Sequence, residues 1–303
     1  MRKGTKVWLW IAVSVVLIAC IIFVVMMSMV GWDFSKLVNG NYVTNEYVLT
    51  EDFQNIHIDS NVANVALLPT NDGTTKVVCR EKEKGYHNVT IQDDTLVILE
   101  VGTGKWTDNI TIYPDAAKIT VYLPREKYDE VIVRTKTGNV NNYVAADQIK
   151  ISAGTGDIFV DNISAGTLEL SVSTGTVTVM GVTCEKDIKV DTATGRVNIM
   201  NVRCENFSSE GTTGDVVLEK LIADKEIFVL RNTGNVKFDN CDAYELIRVE
   251  VNTGDVKGSL LSGKMFTVNT DTGNIQVPPS EPGYPDCQIS TRTGDIRISI
   301  VSE

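Results

Sequence analysis

Histidine is scarce: His57 and His87 are the only two in 303 residues. That leaves no pair of histidines at zinc-ligand spacing and few options for acid–base catalysis. His57 lies in the alternating run "IHID" and His87 in the turn-like "KGYHNV", and the sequence sets neither beside a serine or a cysteine. Cysteine is little more informative. Cys20 falls in an apolar run, while Cys79, Cys184, Cys204, Cys241 and Cys287 are odd in number and lack Cys-x-x-Cys spacing. No disulfide framework follows from such a set. Basic charge is also short, with 28 Lys and Arg against 39 Asp and Glu and a net charge of −11. An exterior of that sign repels nucleic acid, which is therefore not expected as a partner. Phosphate loops are missing too: "GTGK" (Gly102 to Lys105) lacks the spacing that wraps a phosphate. No catalytic residue, cofactor motif or metal-ligand set emerges, so the expectation is a protein that is not an enzyme. No amphipathic helix longer than two turns is evident after Val30.

What is present begins with Val7 to Val30, an apolar run without a charge. As a helix it would extend about 36 Å, enough to cross a hydrocarbon core of roughly 30 Å. Arg2, Lys3 and Lys6 precede it, and no acid occurs before Asp33, which favours the N-terminus inside and the rest outside. "LIAC" (Leu17 to Cys20) offers an alternative, lipidation at Cys20, but Ile21 to Val30 stay apolar where a lipoprotein usually begins a polar tether. The expected organisation is a cytoplasmic tail over 1–6, a transmembrane anchor over 7–30 and a connector over 31–52. An irregular β opening region over 53–136 and a regular β-solenoid over 137–303 follow. Without its first three basic residues the chain holds 25 basic against 39 acidic residues, a balance of −14.

The solenoid is read from a repeat. Thr-Gly recurs at Thr137, Thr155, Thr174, Thr194, Thr213, Thr233, Thr253, Thr272 and Thr293, every 18 to 21 residues. A β-branched apolar residue follows two places after each glycine, from Val140 to Ile296, and alternation continues beyond it. Period two after a glycine turn is a half-buried strand leaving a corner. A unit of about 20 residues cannot bury its apolar face alone but can when stacked on copies of itself. The structural corners are Gly138, Gly156 with Asp157, Gly175, Gly195, Gly214 with Asp215, Gly234 with Asn235, Gly254 with Asp255, Gly273 with Asn274, and Gly294 with Asp295. Asp and Asn alternate along the last five, which would spare stacked carboxylates from repelling each other by about 1 kcal/mol per pair. One corner acid per coil is too thin for the oxygen cage of a calcium-binding β-roll. A second column, Ala165, Cys184, Cys204, Ala223, Ala243 and Gly263, is small and should point inward.

Residues 33–136 carry strand-like runs without regular corners, read as opening coils or a sandwich-like cap, with "NDGTT" and "EVGTGKWTDN" as protruding loops. "KITVYLPREKYDEVIVRTKTGNV" (Lys118 to Val140), followed by serial "TGDV" and "TGDI" corners, resembles the bacterial putative-adhesin, or toastrack, β-solenoid family. The resemblance spans roughly Phe53 to Ser302. It implies a surface domain of the cell envelope in a Gram-positive-type bacterium, an adhesin or an envelope-stress scaffold, and carries over no catalytic residue. Expected partners are envelope or surface components, including protein paired to an open C-terminal strand edge at "IRISIV" (Ile296 to Val301), and the membrane through 7–30. A sensor of cationic antimicrobial peptides and a cell-wall polysaccharide enzyme are the alternatives.

Overall fold

The computed structural model describes residues 14, 16–17, 20–21, 23–25, 27–28, 42–82, 86–101, 117–280 and 282–301. The tail 1–6, most of the anchor, the connector as far as residue 41 and the "GTGK" stretch lie outside the described residues. Those described between 14 and 28 are helical, and six of them, Val16 to Val25, are large apolar side chains 47–61% exposed. Among the described residues no helix is long and apolar enough to cross a membrane.

From residue 42 onward the described chain is all strand and turn. The strands are β1 (Tyr42–Leu49), β2 (Asn55–Val62), β3 (Asn64–Pro69), β4 (Thr75–Lys82), β5 (Tyr86–Gln92), β6 (Thr95–Val101), β7 (Lys118–Leu123) and β8 (Lys127–Thr137). Then come β9 (Val140–Asn142), β10 (Ala145–Thr155), β11 (Ile158–Asp161), β12 (Ser164–Thr174), β13 (Val177–Met180), β14 (Thr183–Cys184), β15 (Asp187–Thr194) and β16 (Val197–Thr213). The last are β17 (Val216–Thr233), β18 (Val236–Ala243), β19 (Leu246–Thr253), β20 (Val256–Leu260), β21 (Met265–Thr272), β22 (Ile275–Gln276), β23 (Asp286–Thr293) and β24 (Ile296–Ile300).

From β8 to β20 each coil lies parallel on the one before, with Thr137, Thr155, Thr174, Thr194, Thr213, Thr233 and Thr253 in register. Inward residues alternate with solvated ones, as in Ile149-Ile151, Leu168-Leu170, Ile227-Val229 and Ile247-Val249, all buried. Each such side chain stabilises the stack by about 1.5–3 kcal/mol. The small column is also buried where it lies in strands: Ala165 stacks on Cys184, Cys204 on Ala223, and Ala223 on Ala243.

Glycine is needed at the corner because coils approach there through backbone. Gly254 has φ +153, and a Cβ on it would lie 2.0 Å from the carbonyl oxygen of Gly234. Beside the glycines a ladder of side-chain carbonyls runs along the stack. Asn64 Oδ1 accepts the Asn139 N–H at 2.8 Å, Asn139 Oδ1 that of Asp157, and Asp157 Oδ1 that of Thr176. After Thr176 and Arg196 it resumes: Asp215 accepts from Asn235, Asn235 from Asp255, Asp255 from Asp295, and Asp295 from Asn274. Asp and Asn serve equally because both present Oδ1.

The spatial order of that ladder corrects two expectations. β23 pairs with β19 on one side and β21 on the other, so the final coil is inserted between the coils of Thr253 and Thr272. Ile296 and Arg297 are likewise flanked by β20 and β22. The open edge of the stack is therefore carried by Met265–Thr272 and Ile275–Gln276 rather than by the start of the C-terminal run. As a result Asp255 and Asp295 are direct neighbours, and Asp–Asn alternation does not separate them. Their charges are compensated two residues on instead: Lys257 Nζ reaches Asp255 Oδ2 at 2.6 Å and Arg297 Nη2 reaches Asp295 Oδ2 at 2.6 Å. The Lys257 ammonium first, then the Asp295 N–H, holds the Asp255 carboxyl below its ordinary value.

At the other end β2 and β3 form a regular coil against β8 and β9, with Ala63 in the corner place beside Gly138. The corner Thr-Gly-Asn becomes Val62-Ala63-Asn64, which hides it from a search for Thr-Gly. Beyond that coil the order breaks: β6 and β7 flank it, and β5, β4 and β1 close the end antiparallel.

Candidate functional site

Two regions combine concentrated polar chemistry with a defined shape. The first is an open groove of about 760 Å³ across the outer face of β17, β19, β23 and β21. Alternation puts Asn232, Arg248, Glu250, Asn252, Asn269, Asp271, Gln288 and Arg292 on this face. Coil spacing of about 4.8 Å sets them in rows, and Asn252 Nδ2 donates to Asn232 Oδ1 at 3.0 Å. Arg248 folds onto Glu250, its Nε 2.8 Å from Oε1. The face thus offers amides, a hydroxyl-bearing strand and charges of both signs.

The second region lies inside the antiparallel end. Strand alternation turns Cys79 and Glu81 of β4 inward, and β5 brings His87 against them, with exposures of 0%, 1% and 3%. His87 was expected in a turn with neither serine nor cysteine beside it. It is instead a strand residue whose Nε2 lies 3.2 Å from Ser60 Oγ and whose Nδ1 lies 2.7 Å from Glu81 Oε2. Ligand atoms of Cys79, Glu81 and His87 all fall within 4.8 Å of one another. The sequence hid this because the residues come from two strands, β4 and β5, that pair with different neighbours, and only the i, i+2 spacing of Cys79 and Glu81 on one strand face pointed to it.

Hydrogen-bond donors fix the protons. Glu81 accepts the His87 N–H at 2.6 Å on Oε2 and Asn45 Nδ2 at 2.6 Å on Oε1. Glu100 accepts the N–H of Asn61 and of Val62, and the Ser60 hydroxyl at 2.8 Å. Burial pushes the Glu100 carboxyl up, but the Ser60 and backbone donors together with His87 outweigh it and leave the group below its ordinary value. With the Ser60 proton given to Glu100, Ser60 Oγ can only accept from His87 Nε2–H. The other ring nitrogen, Nδ1, faces Glu81 Oε2. The set has the outline of a Ser–His–acid relay, yet its serine proton points away from histidine. Ser60 is moreover 1% exposed, so no substrate reaches Oγ. Burial, with Glu81 adding, raises the Cys79 thiol to about 12.

Two further buried cations lie in the solenoid. Lys264, 0% exposed, gives its three protons to Asp242 Oδ1, the Ala243 carbonyl and Ser262 Oγ. Arg231 donates to the Leu230 carbonyl at 2.8 Å and to Ser209 Oγ at 2.7 Å, while its Nε meets no acceptor among the described residues. Burial lowers its pKa to about 10. The thiols of Cys184, Cys204, Cys241 and Cys287 are free and buried, and burial raises each above its ordinary value.

The fifteen corner positions named from the sequence lie in the single column of glycines and Oδ1 acceptors described above, and none of them lines the groove. No curated protein matches the chain. The chain is similar to a putative adhesin from Bacteroides fragilis, at 14% identity over 86% of this chain and 98% of that one, with a TM-score of 0.49. A putative adhesin and a putative lipid binding protein from Parabacteroides distasonis each share 12% identity over 86% of this chain. They are covered over 99% and 98%, with TM-scores of 0.44 and 0.34. The family model described as Toastrack DUF4097 matches residues 53–238, from the regular coil of β2 and β3 through to β18 and over more than half of the chain. This chain belongs to the toastrack family.

Proposed function

We propose that the protein is a membrane-anchored, extracytoplasmic binding module of the cell envelope, acting as an adhesin or as a scaffold in the envelope-stress response. The groove on β17, β19, β23 and β21 carries this reading. Its rows of amides and paired charges suit a hydroxyl-rich polymer, held by many weak hydrogen bonds along a rigid ruler of strands. Of its two acids, Glu250 is engaged by Arg248, an arrangement that favours binding over acid–base cleavage of the polymer. The acid excess of the chain favours a cationic peptide as the alternative ligand, but Arg248 and Arg292 within the groove oppose that choice there. Anchoring is supported by the exposed apolar side chains of the helical residues between 14 and 28, which require a lipid or protein cover. Cys20 is exposed among them, so lipidation there would serve the same end.

The test is sedimentation of the purified full chain with isolated cell-wall polysaccharide. Wild-type protein is expected to co-sediment. Gln288→Ala combined with Arg292→Ala is expected to weaken binding about tenfold, the loss of roughly 1.4 kcal/mol. Charge reversal of the remote Lys150–Glu169 pair should leave it unchanged. Equal binding by the groove variant and the wild type would overturn the assignment of the face.

A further inference from the structure

We propose that Cys79, Glu81 and His87 form a structural site for a zinc-class divalent cation at the closed end of the solenoid. A thiolate, a carboxylate and an imidazole are a donor set that zinc accepts, and thiolate with imidazole disfavours the hard cations magnesium and calcium. All three residues are 0–3% exposed, and their ligand atoms already lie within 4.8 Å of one another. A tetrahedral ion with bonds of about 2.0–2.3 Å sets its ligand atoms about 3.3–3.7 Å apart, so side-chain movements of roughly 1 Å complete the site.

What distinguishes the cluster from a chance gathering is that its carboxylate and imidazole have outer partners of their own. Asn45 Nδ2 holds Glu81 by Oε1 and leaves Oε2 on the histidine side. With the cation on Nδ1, His87 Nε2–H still donates to Ser60 Oγ, whose hydroxyl donates to Glu100. This is the hydroxyl-and-carboxylate support that fixes the ring of a metal-bound histidine. Charge suits the ion as well: a thiolate, a carboxylate and a neutral imidazole carry two negative charges against the two positive charges of the cation, so no buried charge is left uncompensated. The fourth position falls to a water molecule, since three protein ligands are at hand.

Cobalt(II) titrated into the detergent-solubilised full chain is the experiment. One cobalt per chain is expected, with a thiolate-to-cobalt charge-transfer band in the near ultraviolet and the intense visible bands of a four-coordinate ion. Zinc should abolish both bands. Cys79→Ser should remove the charge-transfer band while Cys287→Ser keeps it. Ser60→Ala leaves all three ligands in place and should weaken binding about tenfold or more. Because the wild-type spectrum needs no variant to fold, a titration without a charge-transfer band overturns the site outright. A band that survives Cys79→Ser also overturns it.

Discussion

Replacing Gly254 by alanine tests whether the coils are held by backbone contact at their corners. The new Cβ would sit 2.0 Å from the Gly234 carbonyl oxygen, about 1.4 Å inside ordinary contact, at φ +153. Two costs add. A non-glycine residue at positive φ carries about 1–2 kcal/mol of strain. Relieving the overlap also pulls apart the hydrogen bonds around it, Gly234 N–H to the Thr253 carbonyl at 3.0 Å and Gly254 N–H to that of Thr293 at 2.9 Å. At roughly 1 kcal/mol each, these bring the total to about 3–4 kcal/mol. Gly73→Ala supplies the control: its φ is +74, but nothing lies within 4 Å of the added Cβ. There only the strain remains, about 1–2 kcal/mol. Urea unfolding followed by far-ultraviolet circular dichroism would measure both. Stacking at the corner is refuted if Gly254→Ala costs no more than Gly73→Ala.

Two other buried groups yield contrasting expectations. Lys264→Met leaves Asp242 buried without its ammonium and should cost about 3–5 kcal/mol, whereas the pair Lys264→Met with Asp242→Leu should recover most of it. Denaturation midpoints of the single and double variants decide this, and a single-variant loss below about 1 kcal/mol would show the pair to be unimportant. Arg231→Met removes a guanidinium whose burial outweighs its attraction to Asp191 and Glu210 and whose Nε is unsatisfied among the described residues, so the melting temperature should rise, a gain of about 1 kcal/mol or more. A fall of that size would show that its bonds to Leu230 and Ser209 outweigh the burial of its charge.

Much of the architecture was legible because a single steric rule writes it at regular intervals. A corner that tolerates no Cβ forces glycine, and the next residue supplies Oδ1, so Thr-Gly-Asp and Thr-Gly-Asn mark each coil. Where the rule relaxes, legibility fails: Ala63 fills a corner place at the last regular coil, next to which no further corner stacks. Coil order at the far end was illegible for a different reason. Thr272 and Thr293 carry the same motif, and nothing local says which of the two coils lies against Thr253. Reading them in chain order made Asp255 and Asp295 second neighbours; Lys257 and Arg297 were the signal that they touch. The His87 cluster was hidden because β2, β4, β5 and β6 each contribute one or two polar residues, and antiparallel closure rather than any repeat brings them together. The groove is similarly diffuse, since its lining is the solvated half of four ordinary strands.

The inserted final coil bears on how the molecule is made. A stacked repeat can ordinarily add one unit at a time as the chain leaves the ribosome, each new coil finding its template already in place. Here Met265–Thr272 emerges before Asp286–Thr293, the strand that must separate it from Leu246–Thr253. During that interval Met265–Thr272 matches Leu246–Thr253 in length and in its closing threonine, and can zip onto it directly. Reaching the native order then requires that premature ladder to be unzipped or withheld. The terminal coils are therefore completed together, since Met265–Thr272 has its native neighbour only once Asp286–Thr293 is in place.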